Sequence, residues 1–221
     1  MVQRRGRQEA PPQTVRSGST RTNSVSRRFL GATGRFIVEV GKVVLVALAI
    51  IVPIRMFVVQ PFSVSGSSME DSFFHRDYLV IDEISYRFRA PERGEVIVFR
   101  FPEDRSQFFI KRIIGLPGET IRVRDGRVFV VTSEIQYLLD EADYLPVETI
   151  TTGGDQEVVL GEDEYYVLGD NRTASSDSRV WGSLTTDDIV GRAWIRAWPF
   201  ASANIVDAPN FQLLDPIPEA Q

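Results

Sequence analysis

The sequence predicts a mostly β protein, with one N-terminal transmembrane helix followed by an antiparallel, partly closed, β-barrel-like domain. Three observations carry this. Residues 36–59, FIVEVGKVVLVALAIIVPIRMFVV, form a long apolar stretch. Beyond residue 60, long helical periodicity is absent, and short runs rich in β-branched and aromatic residues replace it. Charge divides near the same point. Residues 1–55 hold nine Arg and one Lys against two acids, whereas residues 56–221 hold 28 acids against fourteen Arg and one Lys.

The expected organisation is a disordered basic cytoplasmic tail over 1–35, the transmembrane helix over 36–59, a β domain over 60–200 and a C-terminal tail over 201–221. Residues 1–28 are rich in Arg, Ser, Thr, Gln and Pro and lack apolar runs, a composition unable to build a core. The uninterrupted apolar core of the next segment, Val43 to Ile54, is twelve residues. A spanning helix needs about 20. Phe36, Ile37, Val38 and Val40 extend it on one side and Met56 to Val59 on the other. Glu39 and Lys42, three apart, can pair near the headgroups. A cleaved secretory signal would need a small-residue cleavage site, which Val-Val-Gln-Pro does not supply. A buried soluble helix is opposed by Val43 to Val52, apolar on every face. The arginines before the segment place the tail in the cytoplasm and the acidic body on the extracytoplasmic side of the cell membrane, with a single pass.

Strands are expected at Tyr78–Ile81, Glu95–Phe101, Phe108–Ile114, Tyr165–Leu168 and Ile189–Trp198. IRVRDGRVFV, residues 121–130, alternates around Asp125-Gly126 and reads as a hairpin. Residues 132–163 are acidic, weakly patterned and expected to be loop-rich. Antiparallel strands of this kind need protected edges, hence the expectation of partial closure.

Composition excludes several chemistries. There is no cysteine, so thiolate nucleophiles and disulfides are absent. The one histidine, His75, cannot build a multi-histidine metal site, and a Ser/His/Asp triad would have to use it alone. An acidic body repels phosphate and argues against nucleic acid. Of 25 basic side chains only Lys42 and Lys111 are lysine. Arginine stays protonated in a protein, whereas a buried lysine can lose its proton. A retained lysine is therefore either a base or a remnant of compositional drift.

Three islands stand out. SVSGSSMEDSFF, residues 63–74, can expose the Ser68 hydroxyl and aim backbone N–H groups at an oxyanion, although a Ser/Gly turn is usually only a turn. FFIKRIIGLPGE, residues 108–119, sets Lys111 among apolar neighbours, where burial would lower its pKa; the alternative is a lysine on the polar face of an edge strand. GDNRTASSDSRVWG, residues 169–182, reads as a polar surface loop or as the support of a site, with a serine orienting the lysine and an Asp/Arg pair fixing the loop.

These islands, in this order behind an N-terminal anchor and with RGEVIVF at Arg93–Phe99, resemble the characteristic boxes of bacterial type I signal peptidases. The resemblance runs from about Val43 to Trp198. It implies that Ser68 is the nucleophile and Lys111 the general base. It implies supporting roles for Ser175, as hydrogen-bond partner of the lysine, for Asp177 and Arg179, and for Asp170 and Gly66. Gly66 stands where some members carry a serine donating a second oxyanion hydrogen bond; Ser65 and Ser67 are its neighbours. After Met69 the family usually reads x-Pro-Thr-Leu, and this chain reads Glu70-Asp71-Ser72-Phe73. Thr173 and Ala174 stand where Asp and Asn are frequent. The segment between GLPG and GDNR is short, without the large β insertion of some relatives.

The implied reaction is removal of N-terminal signal peptides from exported preproteins through an acyl-enzyme, with small residues preferred before the cut and neither cofactor nor metal required. The lipid bilayer is the second expected partner, and Met69, Phe73, Phe74 and Trp198 are expected to reach its interface. Rival readings are a self-cleaving repressor-type peptidase, which would need a DNA-binding domain in place of residues 1–59, a catalytically impaired β domain that binds exported proteins, and a hydrolase built on His75.

Overall fold

The computed structural model describes residues 24–57, 59–132, 135–209 and 211. By compactness the chain divides into two units, residues 1–50 and 51–221. The first contains most of a 34-residue helix, α1 (Ser24–Phe57). Residues 24–35 are therefore helical, where a disordered tail was expected. Once a long helix is nucleated, each added residue gains a hydrogen bond and extension is cheap. Along 34–51 the side chains are almost all exposed, Val43 and Leu45 among them. Lys42 and Glu39 form the expected pair, at 3.9 Å. Among the described residues no helix is long and apolar enough to cross a membrane. The side chains of 52–59, which complete the expected span, lie outside the described ones, as do residues 1–23 and 212–221.

The second unit is two antiparallel sheets. The larger has the order β1-β2-β11-β3-β4-β9-β10, with β12 on β11; the smaller has the order β7-β6-β5-β8. The strands are β1 (Val59–Ser63), β2 (Tyr78–Asp82), β3 (Val96–Phe101), β4 (Asp104–Gly115), β5 (Thr120–Arg124), β6 (Arg127–Thr132), β7 (Ile135–Leu138), β8 (Gln156–Val159), β9 (Glu164–Leu168), β10 (Leu184–Thr185), β11 (Ile189–Trp198) and β12 (Asn204–Ile205). Every strand expected from sequence is present. The hairpin turns at Asp125 and Gly126, both at positive φ as a tight two-residue turn requires. The segment 132–163 is not only loop: β7 and β8 come from it and flank the hairpin.

The sheets are open, which corrects the expectation of a partly closed barrel. The two edges of the larger sheet differ. Pro61 removes a backbone donor from β1, and β10 is two residues long. The sheet nonetheless curls until Phe62 of β1 meets Phe108 of β4 edge-on, ring centroids 5.5 Å apart.

Alternation along β3 builds two cores. Val96 and Val98 pack with Met69, Phe73, Leu79 and Ile81 on one face; Ile97 and Phe99 pack with Ile113, Val167 and Leu184 on the other. A third core, around Ile121, Val130, Leu160, Tyr166 and Leu168, joins the smaller sheet to the larger. Each fully buried aliphatic side chain contributes roughly 1.5–3 kcal/mol. The burial of Met69 and Phe73 corrects another expectation. They anchor the 63–77 loop inward and do not face a bilayer, while Phe74 and Trp198 are exposed.

Candidate active site

The three islands converge at one end of the larger sheet. The 63–77 loop is tied at its base by Val64 N–H to Asp77 O (2.9 Å) and Arg76 N–H to Val64 O (2.9 Å). Gly66, Asp71 and Arg76 all have positive φ, and for the last two this is a strained conformation. The loop is held in it from several sides. Met69 and Phe73 are buried, Arg196 donates to Ser72 O and lies over the Phe73 ring, and Asp77 accepts from Phe74 N–H at 3.0 Å. Ser68 opens the turn and is half-buried.

Lys111 lies in β4 between β3 and β9, not on an edge strand. Its side chain is buried, at 3% exposure. Nζ sits 2.8 Å from Ser68 Oγ and donates to the Ile110 carbonyl at 2.9 Å. Burial pushes the amine down to about 8; Asp177 and Asp170 oppose this and Arg179 assists it. The amine is thus in contact with a hydroxyl and carries no carboxylate among its hydrogen-bond partners.

The third island supports the other two. Asn171 N–H donates to Ser68 O at 3.1 Å. Asp177 accepts from Gly169 N–H at 3.0 Å and from Arg179 Nε and Nη2 at 2.7 and 2.6 Å. It also caps the short helix α2 (Ser178–Trp181). Burial raises the Asp177 pKa, but these bonds and the Arg179 charge outweigh it and hold the carboxyl below its usual range. Gly169 is needed without a side chain, because a Cβ there would overlap Ser175 Oγ and the Ser68 carbonyl oxygen. The expected bond between Ser175 and Lys111 is not formed. The Ser175 hydroxyl is buried and lies beside Asp177, whose carboxyl it helps to hold down.

Asp170 takes a fork of two bonds from Arg112, Nε at 2.9 Å and Nη2 at 2.6 Å, both groups buried. Arg112 also donates to Gly94 O at 2.9 Å and to Ser72 Oγ at 3.2 Å. Its place beside Lys111 was visible in the sequence, but its role was not. Strand alternation was the available signal, since a strand buried on both faces must give its arginine an acid. Gly66 carries no hydroxyl; its N–H donates to Nδ1 of the exposed His75 at 3.4 Å. No carboxylate hydrogen-bonds His75, so the arrangement needed for a His75-based hydrolase is absent among the described residues. Ser65 lines the adjacent groove, and Ser67 does not.

That groove has a volume of about 530 Å³. It runs between Phe62, Ser63 and Val64 on one side and Gln107, Phe108, Phe109 and Ile110 on the other, with Ser68 and Lys111 in its wall. β1 is an edge strand, and the first half of β4 pairs with β3 alone, so both sides offer unpaired backbone.

Similarity to known proteins extends over most of the chain. Residues 37–198 match the family described as signal peptidase, peptidase S26. Probable signal peptidase I-2 of Synechocystis sp. is 41% identical over 167 residues, covering 73% of each chain. Signal peptidase I of Leptolyngbya laminosa is 38% identical over 155 residues, 66% of this chain and 72% of that one. Signal peptidase IB of Staphylococcus aureus is 29% identical over 167 residues, 71% and 86%. A crystal structure of a signal peptidase I from Enterococcus faecalis V583, 29% identical, superposes with a TM-score of 0.38 over 47% of this chain and 97% of that one.

Proposed function

Because the chain belongs to the signal peptidase family, peptidase S26, we propose that it is a serine endopeptidase that removes N-terminal signal peptides from exported preproteins using Ser68 and Lys111. The observation that carries the residue assignment is the 2.8 Å contact between a buried amine, its pKa lowered to about 8, and a hydroxyl at the wall of a groove.

A signal peptide lies extended in the groove and adds a strand between β1 and β4, its backbone satisfying their unpaired groups. Ser68 Oγ attacks the scissile carbonyl carbon while the neutral Lys111 amine takes the hydroxyl proton. The Ser68 N–H faces the developing oxyanion. Collapse breaks the C–N bond, the ammonium of Lys111 protonates the leaving amine, and the signal peptide stays esterified to Ser68. Water then attacks the ester, Lys111 takes its proton, and Ser68 Oγ recovers a proton as it leaves. Asp177 with Arg179, and Asp170 with Arg112, hold the loops that carry this exchange. Ser175, its hydroxyl buried beside Asp177, is the group assigned in this reading to orient the amine once the Ser68 hydroxyl is acylated.

The membrane part of the reading rests on sequence. Residues 36–59 anchor the enzyme, residues before them stay in the cytoplasm, and the β unit works outside, so enzyme and substrate share one surface. The expected C-terminal tail is in part a piece of this unit, since β12 pairs with β11 and Phe211 packs against Tyr144.

The test is cleavage in detergent of a preprotein with an Ala-x-Ala site by wild type, Ser68→Ala and Lys111→Arg. Cleavage by wild type alone is expected. Survival of Lys111→Arg would remove Lys111 as base, since arginine keeps the charge and cannot accept the proton. A silent wild type would favour the binding-only reading.

A further inference from the structure

The smaller sheet reaches the site through the segment that joins β7 to β8. Leu139 and Leu145 are buried and turn residues 140–144 toward the larger sheet. There Glu141 takes two bonds from Arg172, Nη1 at 2.9 Å and Nη2 at 2.6 Å. The Arg172 side chain has no exposure at all. Thr151 Oγ1 accepts from it at 2.6 Å, and its Nε donates to Gly169 O at 3.0 Å. The Tyr144 hydroxyl bonds to Glu141 and accepts from Arg172 Nη2 at 3.2 Å. Its ring lies 4.1 Å from the guanidinium carbon of Arg112. One segment therefore holds two buried arginines of different islands.

Both arginines act next to the reacting pair. Arg112 follows Lys111 in β4 and grips Asp170. Arg172 fixes the carbonyl of Gly169, two residues before the Asn171 N–H that binds Ser68 O. We propose that Glu141 and Tyr144 are positioning residues for the Ser68–Lys111 pair, acting through Arg172 and Arg112. This rests on the peptidase reading above. A buried arginine without its acid does not stay in place, because removing one partner of a buried pair leaves an uncompensated charge. Without Glu141, Arg172 turns toward solvent and the 169–171 backbone loses its brace. Without the Tyr144 ring, water reaches Arg112 and weakens its grip on Asp170. Asp170 is one of the two carboxylates that favour the charged amine, with Asp177 the other and Arg179 opposing them. A less neutralised Asp170 therefore keeps Lys111 protonated to higher pH.

The test uses the full chain in detergent, with Glu141→Gln, Glu141→Asp and Tyr144→Leu assayed on the same preprotein well below their unfolding midpoints. Glu141→Gln is expected to lower kcat about tenfold with KM within about twofold of wild type, the pattern for an interaction that matters in the transition state. Glu141→Asp recovers part of that loss. Tyr144→Leu moves the ascending limb of kcat/KM to higher pH by roughly half a unit, a change that electrostatic coupling produces and a mere packing defect does not. Unchanged kcat in folded Glu141→Gln, with an unmoved limb in Tyr144→Leu, overturns the proposal; should Glu141→Gln not fold, the limb in Tyr144→Leu decides. Wild-type cleavage in the same assay tests the peptidase reading separately. A silent wild type removes both, and an active wild type with indifferent variants removes this inference alone.

Discussion

The two faces of β4 treat neighbouring cations in opposite ways. Lys111 and Arg112 are adjacent and almost equally buried, at 3% and 4% exposure. Arg112 meets a carboxylate fork from Asp170. Lys111 meets a hydroxyl and a carbonyl. Burial is thus not what makes a cation reactive. Arg112 is buried with its counter-charge and stays an ion that holds two loops together. Lys111 is buried without one, so the charged form is penalised and the amine becomes a base near neutral pH.

Replacing each cation by methionine breaks the comparison most severely. Lys111→Met is expected to lower kcat/KM by at least about a thousandfold, within the range for loss of a general acid–base, yet to leave stability unchanged or higher. Arg112→Met is expected to cost about 3–5 kcal/mol of stability, because it strands Asp170. Assays with thermal unfolding of both variants check the contrast, and equal destabilisation would end it.

Gly169→Ala sharpens it next. The added methyl overlaps Ser175 and the Ser68 carbonyl, so Ser68 is expected to shift relative to Lys111. Misplacement on the scale of an ångström costs roughly a hundredfold in rate, measured as kcat well below the variant's lowered unfolding midpoint.

The smallest effect is in pH. In the proposed mechanism the base must be neutral, so kcat/KM is expected to rise with pH with its ascending limb near the lysine value of about 8. Stability follows with a fixed sign. The folded chain releases the Lys111 proton near 8 and the unfolded chain near 10.5, so between these values the unfolded state binds more protons and stability increases with pH. Any stability gain in Lys111→Met is therefore largest below pH 8 and shrinks toward pH 10.5. A gain independent of pH would show that amine burial is not its cause.

Much of this contrast was legible in the sequence. The strands announced themselves by alternation, and Lys111 stood out against an arginine background. Arg112 did not, because its partner is 58 residues away and a strand pattern records faces, not partners. β7 and β8 escaped because four residues in an acidic stretch carry too little pattern. Glu141 had no signal, since its value depends on where the smaller sheet folds back. The open sheet is not legible because closure depends on twist and edges. The inward turn of Met69 and Phe73 is not legible because loop composition does not say which way a side chain turns.

The dispersal of the site along the chain sets an order of events in biosynthesis. Ser68 emerges first, Lys111 follows 43 residues later, and the Asn171 N–H that seats Ser68 comes after both. A chain arrested before residue 169 holds the proposed nucleophile and base but lacks the segment that seats Ser68, and is expected to be inert toward the preprotein. The chain is therefore harmless to its neighbours until the 169–182 segment has left the ribosome.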